Sequence, residues 1–196
     1  MIELCLIAVA AYLLGSVSSS VMLSILLFRS DVRKQGSGNA GATNVARNFG
    51  IKAGVATLLC DMLKAVVAIS FGLWLGGEMG KAVAGIACLL GHFFPVFFEF
   101  KGGKGISVGA VVAAFVGWPH FFFVVGLFAV GVLLTRIVSV GSVMAAAGLP
   151  LALLLFGGSK PEWVLGLAGA AAVVWQHRQN IRRLLRGEEK QFRAKN

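Results

Sequence analysis

The chain has 196 residues, 58% of them hydrophobic and only 13% charged, with a mean hydropathy of +0.86. A soluble domain carries about twice that charged share, so the composition excludes an ordinary water-soluble fold. It points to an all-α, polytopic membrane protein with one domain over 1–196. The formal charge of +10 invites a nucleic-acid partner, but the cations sit in a few loops between apolar runs. That is the pattern of cytoplasmic loops attracted to anionic headgroups.

Apolar runs fall at 4–28, 53–76, 81–98, 106–118, 120–135, 138–156 and 162–176. Seven spans are expected, some of them short or broken, since a full crossing needs about 20 residues. Short spans are tolerated where they line a polar cavity or pack within protein. The chain opens Met1-Ile2-Glu3 with no basic segment before its first apolar run, so that run is read as a span with its N-terminus outside, not as a signal peptide. Pro95 is expected to kink or end the third span. Gly102–Gly105 is expected to supply the first turn of the short 106–118 span. Cys5, Cys60 and Cys88 lie in apolar runs without metal or redox spacing, and are read as small buried hydrophobes.

Orientation follows from the cations. The segments 29–52, 99–105, the corner at Arg136 and 177–196 carry nearly all of them, through Lys195. The alternate segments carry only Lys81 and Lys160. The rich segments are therefore cytoplasmic, and the C-terminus with its tail 187–196 is inside.

The unusual polar groups gather on that side. The first cluster, Gly36-Ser-Gly-Asn-Ala-Gly-Ala-Thr-Asn44 with Arg47, is small, polar and glycine-rich. Its glycines allow amides to turn toward a ligand, its side chains add hydrogen-bonding groups, and Arg47 adds a forked cation. That mixture suits an oxyanion better than it suits a plain loop. The second is Asp61 and Lys64, three apart on one helical face. They read equally as a polar interior or as a mutually neutralising pair.

The third cluster holds Gly91, His92 and Pro95, then Lys101-Gly-Gly-Lys-Gly105. A glycine turn leading into a helix suits an anion, with Lys104 as ligand contact and Lys101 lying at the membrane surface. His92 is either an interfacial histidine or part of the site. The fourth is His177, Asn180 and Arg183, which step round one helical face, while Arg178, Arg182 and Arg186 are placed at lipid headgroups. Arg136, Ser139 and Ser142 form a minor fifth group at the same boundary. The HxxxxD pattern of many glycerolipid acyltransferases is absent, because Phe97, Val125 and Arg182 stand five residues after His92, His120 and His177.

Taken together, these motifs resemble the bacterial membrane acyl-phosphate:glycerol-3-phosphate acyltransferase family, PlsY. The resemblance rests on Gly36–Asn44 with Arg47, on Asp61…Lys64, on Gly91-His92-x-x-Pro95…Lys101-Gly-Gly-Lys-Gly105, and on His177-x-x-Asn180-Ile-x-Arg183-Leu-x-x-Gly187. It covers essentially the whole chain. It implies acyl transfer from an acyl phosphate to the 1-hydroxyl of glycerol 3-phosphate, giving 1-acyl-glycerol 3-phosphate and phosphate for phospholipid synthesis.

The expected partners are these two substrates and membrane lipids, with no nucleic acid, no obligate protein partner and a monomer. The expected location is the bacterial inner membrane with the site facing the cytoplasm. No metal or cofactor is expected. Under this resemblance, phosphate binding falls to Gly36, Ser37, Gly38, Asn39, Gly41, Thr43, Asn44, Arg47, Gly102, Gly103, Lys104 and Gly105. His177 and Asn180 orient glycerol 3-phosphate. Lys104, His177 and Arg47 are the catalytic candidates, with a substrate phosphate as the favoured proton acceptor. Asp61, Lys64, His92, Arg136, Ser142 and Arg183 support them. The rival reading is a transporter for a phosphorylated or anionic small molecule.

Overall fold

The computed structural model describes residues 1–193. Residues 194–196, including Lys195 of the expected tail, lie outside the described residues. The elements are helical: α1 (Ile2–Gly15), α2 (Ser19–Phe28), α3 (Ala42–Phe49), α4 (Ile51–Phe93), α5 (Ile106–Val116), α6 (Trp118–Thr135), α7 (Val138–Phe156), α8 (Lys160–Gln176) and α9 (Arg178–Leu185). Two short 3₁₀ turns, Val32–Lys34 and Val96–Phe98, interrupt the loops. No strand occurs among the described residues.

Four stretches are long and apolar enough to cross a membrane: Ile2–Phe28, Ile51–Phe98, Trp118–Thr135 and Val138–Phe156. Ile106–Val116 is a shorter apolar helix. The outward surfaces of these helices are greasy. Leu26, Trp74, Leu133, Leu134 and Leu154 are each more than 70% exposed. So much exposed large apolar surface is unfavourable in water and natural against lipid.

The chain divides into two compact units, residues 1–108 and 109–192. In the first, the expected span 4–28 is broken. α1 ends at Gly15 and α2 begins at Ser19. The buried Lys64 Nζ donates to Gly15 O (3.0 Å) and Val17 O (2.6 Å), carbonyls at the end of α1 and within the break. The runs 53–76 and 81–98, expected as separate spans, are two helical arms of α4 that meet at a sharp, non-helical kink at Gly77. Gly77 has φ 57 and ψ −147, a conformation essentially reserved for glycine. Across the bend, a Cβ at Gly72 would meet Gly80 O at 2.5 Å, so the arms lie backbone against backbone. Pro95 follows the end of α4, as expected of a residue that cannot continue a helix.

The Gly102–Gly105 turn expected to open α5 is not helical, and α5 starts at Ile106. Of the cysteines, only Cys88 is buried. Cys5 and Cys60 lie on the outer surfaces of apolar helices, a correction to the reading of all three as buried. In the second unit α7 packs between α6 and α8. Gly131 and Gly141 permit close approach of α6 and α7, since a Cβ at Gly131 would meet Gly141 Cα at 2.8 Å.

Candidate active site

In the first unit the 29–50 segment is folded around a small apolar cluster of Val21, Val32, Ala40, Val45 and Ala53, against which Phe49 and Phe98 pack. Ser24 Oγ accepts from Val32 N (3.1 Å) and fixes where the chain leaves α2. Gly36 and Gly38 then take φ 56 and φ 72, the left-handed region that glycine enters without strain.

Asn44 organises this loop. The two N–H groups of its side-chain amide are shared among Val32 O (3.1 Å), Gln35 O (3.0 Å) and Asn39 O (3.1 Å), while Oδ1 accepts from Ser37 N (3.0 Å) and Asn48 Nδ2 (3.1 Å). The residue is 2% exposed. Asn44, expected among the ligand donors, is thus spent on shaping the loop. Gly36, Ser37 and Gly38 are exposed at its tip, and Asn39, Gly41, Thr43 and Arg47 are half-buried. Gly41 caps α3, which leaves the first amides of that helix without intrahelical partners.

The second loop returns from α4 through two bonds, Gly102 N to Phe93 O (3.2 Å) and Gly103 N to His92 O (3.0 Å). A Cβ at Gly103 would overlap His92 Nε2 and stand 2.8 Å from Ala40 O. The two glycine-rich loops therefore touch. Glycine at 103 is demanded by packing against His92 and Ala40, not by a ligand alone. Gly105 has φ 80, and a Cβ there would overlap the ring of Phe93. Lys104 is half-buried beside this contact. Lys101 points away, 71% exposed and paired with Glu99 at 2.9 Å.

Below the loops, Asp61 Oδ1 lies 3.0 Å from Lys64 Nζ and 3.9 Å from His92 Nδ1. The Asp61–Lys64 contact is an ion pair without hydrogen-bond alignment at Oδ1. These residues are all 8% exposed or less. They serve the α1 break and the His92 contact with Gly103, one step removed from the loops.

In the second unit, His177 ends α8 and opens α9. It is 2% exposed, and its Nδ1 lies 2.8 Å from Val173 O. A carbonyl can only accept, so Nδ1 carries the proton. In the neutral ring Nε2 then holds the lone pair. Asn180 Nδ2 donates to Glu189 Oε1, Ser139 Oγ donates to the same oxygen (2.8 Å), and Arg183 Nε donates to Glu189 Oε2 (2.6 Å). Burial raises the Glu189 pKa, but the hydrogen bonds from Arg183, Asn180 and Ser139 outweigh it and hold the carboxyl below its ordinary range. Ser142 bonds back to Val138 O (2.9 Å) within α7. Arg136 takes a left-handed conformation between α6 and α7, and its carbonyl accepts from Phe192 N (2.8 Å).

The profile of the glycerol-3-phosphate acyltransferase family matches residues 5–187. The chain belongs to the glycerol-3-phosphate acyltransferase family. It is 37% identical over 190 residues to a glycerol-3-phosphate acyltransferase of Thermoanaerobacter pseudethanolicus, covering 97% of this chain and 96% of that one. It is 42% identical over 193 residues to the protein of the same name from an Anaeromyxobacter species, covering 94% of each chain. Two solved structures of PlsY, an integral membrane glycerol 3-phosphate acyltransferase, are also similar. The glycerol 3-phosphate form matches with a TM-score of 0.88 and 34% identity over 97% of this chain and 96% of that chain. The lysophosphatidic acid form matches at 0.87 and 33%, over 97% of this chain and 95% of that one.

In this member of the glycerol-3-phosphate acyltransferase family, Glu189 is the residue that sequence reasoning missed. Residues 188–196 read as a solvated tail from the sequence, yet the Glu189 side chain is 8% exposed and bridges α7 to α9. Its signal was an acidic pair, Glu188-Glu189, after a glycine in an otherwise basic segment. Gly187, at φ 70, closes α9 with bonds from Gly187 N to Leu184 O and Glu188 N to Arg183 O, which turn the chain back toward α7.

Proposed function

We propose that this chain transfers an acyl group from an acyl phosphate to the 1-hydroxyl of glycerol 3-phosphate. The products are 1-acyl-glycerol 3-phosphate and inorganic phosphate. The observation that carries this reading is the full-length likeness to a glycerol 3-phosphate acyltransferase solved in glycerol 3-phosphate and lysophosphatidic acid forms. The touching loops, with Arg47 and Lys104 at hand, supply the cations and amides that a phosphate needs.

In the proposed reaction the 1-hydroxyl oxygen attacks the acyl carbonyl carbon, and the bond from that carbon to the phosphate oxygen breaks. The hydroxyl proton passes to a phosphate oxygen, so the enzyme needs no nucleophile of its own. Arg47, Lys104 and loop amides hold the phosphates and offset the charge of the tetrahedral intermediate. His177, with its lone pair on Nε2, accepts a hydrogen bond from glycerol 3-phosphate and orients it. Asn180, fixed by Glu189, lies along the same helix.

The chain acts as one catalytic domain, a monomer in the bacterial inner membrane. Seven crossings are made by α1–α2, the two arms of α4, α5, α6, α7 and α8, with the N-terminus outside. The active site faces the cytoplasm. Family membership leaves the transporter reading without support.

Purified protein incubated with palmitoyl phosphate and labelled glycerol 3-phosphate is expected to form labelled lipid. Arg47→Ala and Lys104→Ala should each lose nearly all turnover, whereas His177→Ala retains measurable turnover. Complete loss at His177 with intact folding would reassign that residue as the base.

A further inference from the structure

We infer that Arg33 is a positioning residue that bolts the 36–44 loop to the 99–105 loop and so sets where Lys104 stands. Its guanidinium is divided between two jobs. Nε lies 3.1 Å from both oxygens of Asp31, and Nη2 lies 2.8 Å from Asp31 Oδ2, so the carboxylate fixes the plane of the fork. Asp31 also accepts from Arg33 N (2.9 Å), which makes the pair part of the 3₁₀ turn that starts the loop. The remaining arm, Nη1, donates to Phe98 O at 2.7 Å.

That carbonyl is a sensitive place. It precedes two consecutive non-glycine residues in the left-handed region, Glu99 at φ 58 and Phe100 at φ 57. Such residues cost about 1–3 kcal/mol each and persist only where their surroundings over-determine them. The restraints here are few. Phe98 N and Phe100 N both reach Pro95 O (3.0 Å), Lys101 N reaches Phe98 O (3.2 Å), and Arg33 supplies the side-chain bond to the same carbonyl. From this turn the chain passes directly to Gly102 and Gly103, whose amides dock on Phe93 O and His92 O, and then to Lys104. Phe98, whose carbonyl takes the bond, packs against the apolar cluster to which Val32, the residue before Arg33, belongs, so the bolt lies over a firm base. The Arg33 side chain is 16% exposed, unlike a rim charge serving only solubility.

This inference rests on the reading that the two loops hold substrate phosphate. The test is steady-state kinetics on Arg33→Gln and Arg33→Lys, with thermal unfolding of each. Lysine keeps the charge but cannot span Asp31 and Phe98 as a fork. Both variants should raise KM for glycerol 3-phosphate by about tenfold or more while kcat falls by less than about threefold. Asp31→Asn frees the fork without removing it and should give a rise of about threefold.

Parent-like KM in Arg33→Lys would assign Arg33 to bulk charge and overturn the inference. So would a loss that tracks only the folded fraction. If Arg33→Gln does not fold, Arg33→Lys and Asp31→Asn decide the matter alone. Lys104→Ala separates the two levels. If it is crippled while the Arg33 variants are normal, only the positioning role falls. If Lys104→Ala itself retains parent kcat and KM, the phosphate-loop reading fails.

Discussion

Gly103 concentrates the chemistry of the first unit at one atom's width. His92 Nε2 and Ala40 O both crowd the place where a Cβ would stand. Gly103→Ala must push the two glycine-rich loops apart. An insertion of this kind into packed structure costs about 1–3 kcal/mol. The ratio kcat/KM for glycerol 3-phosphate should fall by more than about tenfold, because the displaced loop carries Lys104. Asn44 offers a contrasting residue-scale test. Its amide is buried and saturated by the loop, so Asn44→Ala strands several backbone groups at about 1–3 kcal/mol for each one left buried and unpaired. The expected result is a lowered melting temperature together with lost activity. A ligand-only role for Asn44 would instead leave the melting temperature unchanged.

Among the elements, the bend of α4 and the C-terminal turn are the ones whose conformation can be tested directly. No neighbour crowds a Cβ at Gly77, yet its φ of 57 with ψ −147 is closed to other residues. Gly77→Ala should therefore destabilise the hairpin by about 1–3 kcal/mol through backbone strain alone, read as a lower melting temperature in detergent. At the other end, Glu189 joins α7 to α9 with a carboxyl held below its ordinary pKa. A depressed carboxyl stabilises the fold above its unfolded pKa, and that contribution is lost as pH falls through the folded value. The melting-temperature gap between parent and Glu189→Gln should thus be open at pH 7 and should narrow as pH drops below about 4.3, the ordinary glutamate value. A gap that does not change with pH would deny the carboxylate its role.

These elements also mark what the sequence could tell. The runs 120–135 and 138–156 match α6 and α7 almost to the residue, because apolar length between loop signals suffices there. It does not suffice for 4–28, where the break is set by Lys64 reaching from another helix to Gly15 O and Val17 O. At Gly77 it does separate the runs 53–76 and 81–98, but a glycine pair in an apolar run does not say whether a loop or a tight kink joins the two arms. The polar clusters were visible as clusters. That Asn44 is consumed in shaping its loop, and that Lys101 turns outward to Glu99, depends on the folded geometry. Local composition carries no record of that.

At the scale of the molecule, charge asymmetry and acyl chemistry meet. Single cysteines at Lys160 and Glu188 should label from opposite sides of a sealed vesicle if seven crossings hold, Lys160→Cys from outside and Glu188→Cys from the cytoplasmic face. Labelling of both from one side would contradict the count. The central claim is narrower, that acyl phosphate is the donor and its phosphate the leaving group. The most direct measurement is the ratio of inorganic phosphate to 1-acyl-glycerol 3-phosphate released by the purified protein from palmitoyl phosphate and glycerol 3-phosphate, beside a parallel reaction with palmitoyl-CoA. The account predicts one phosphate for each lipid product, none released in the absence of glycerol 3-phosphate, and no lipid from palmitoyl-CoA. Lipid formed from palmitoyl-CoA, with none from palmitoyl phosphate, would contradict it.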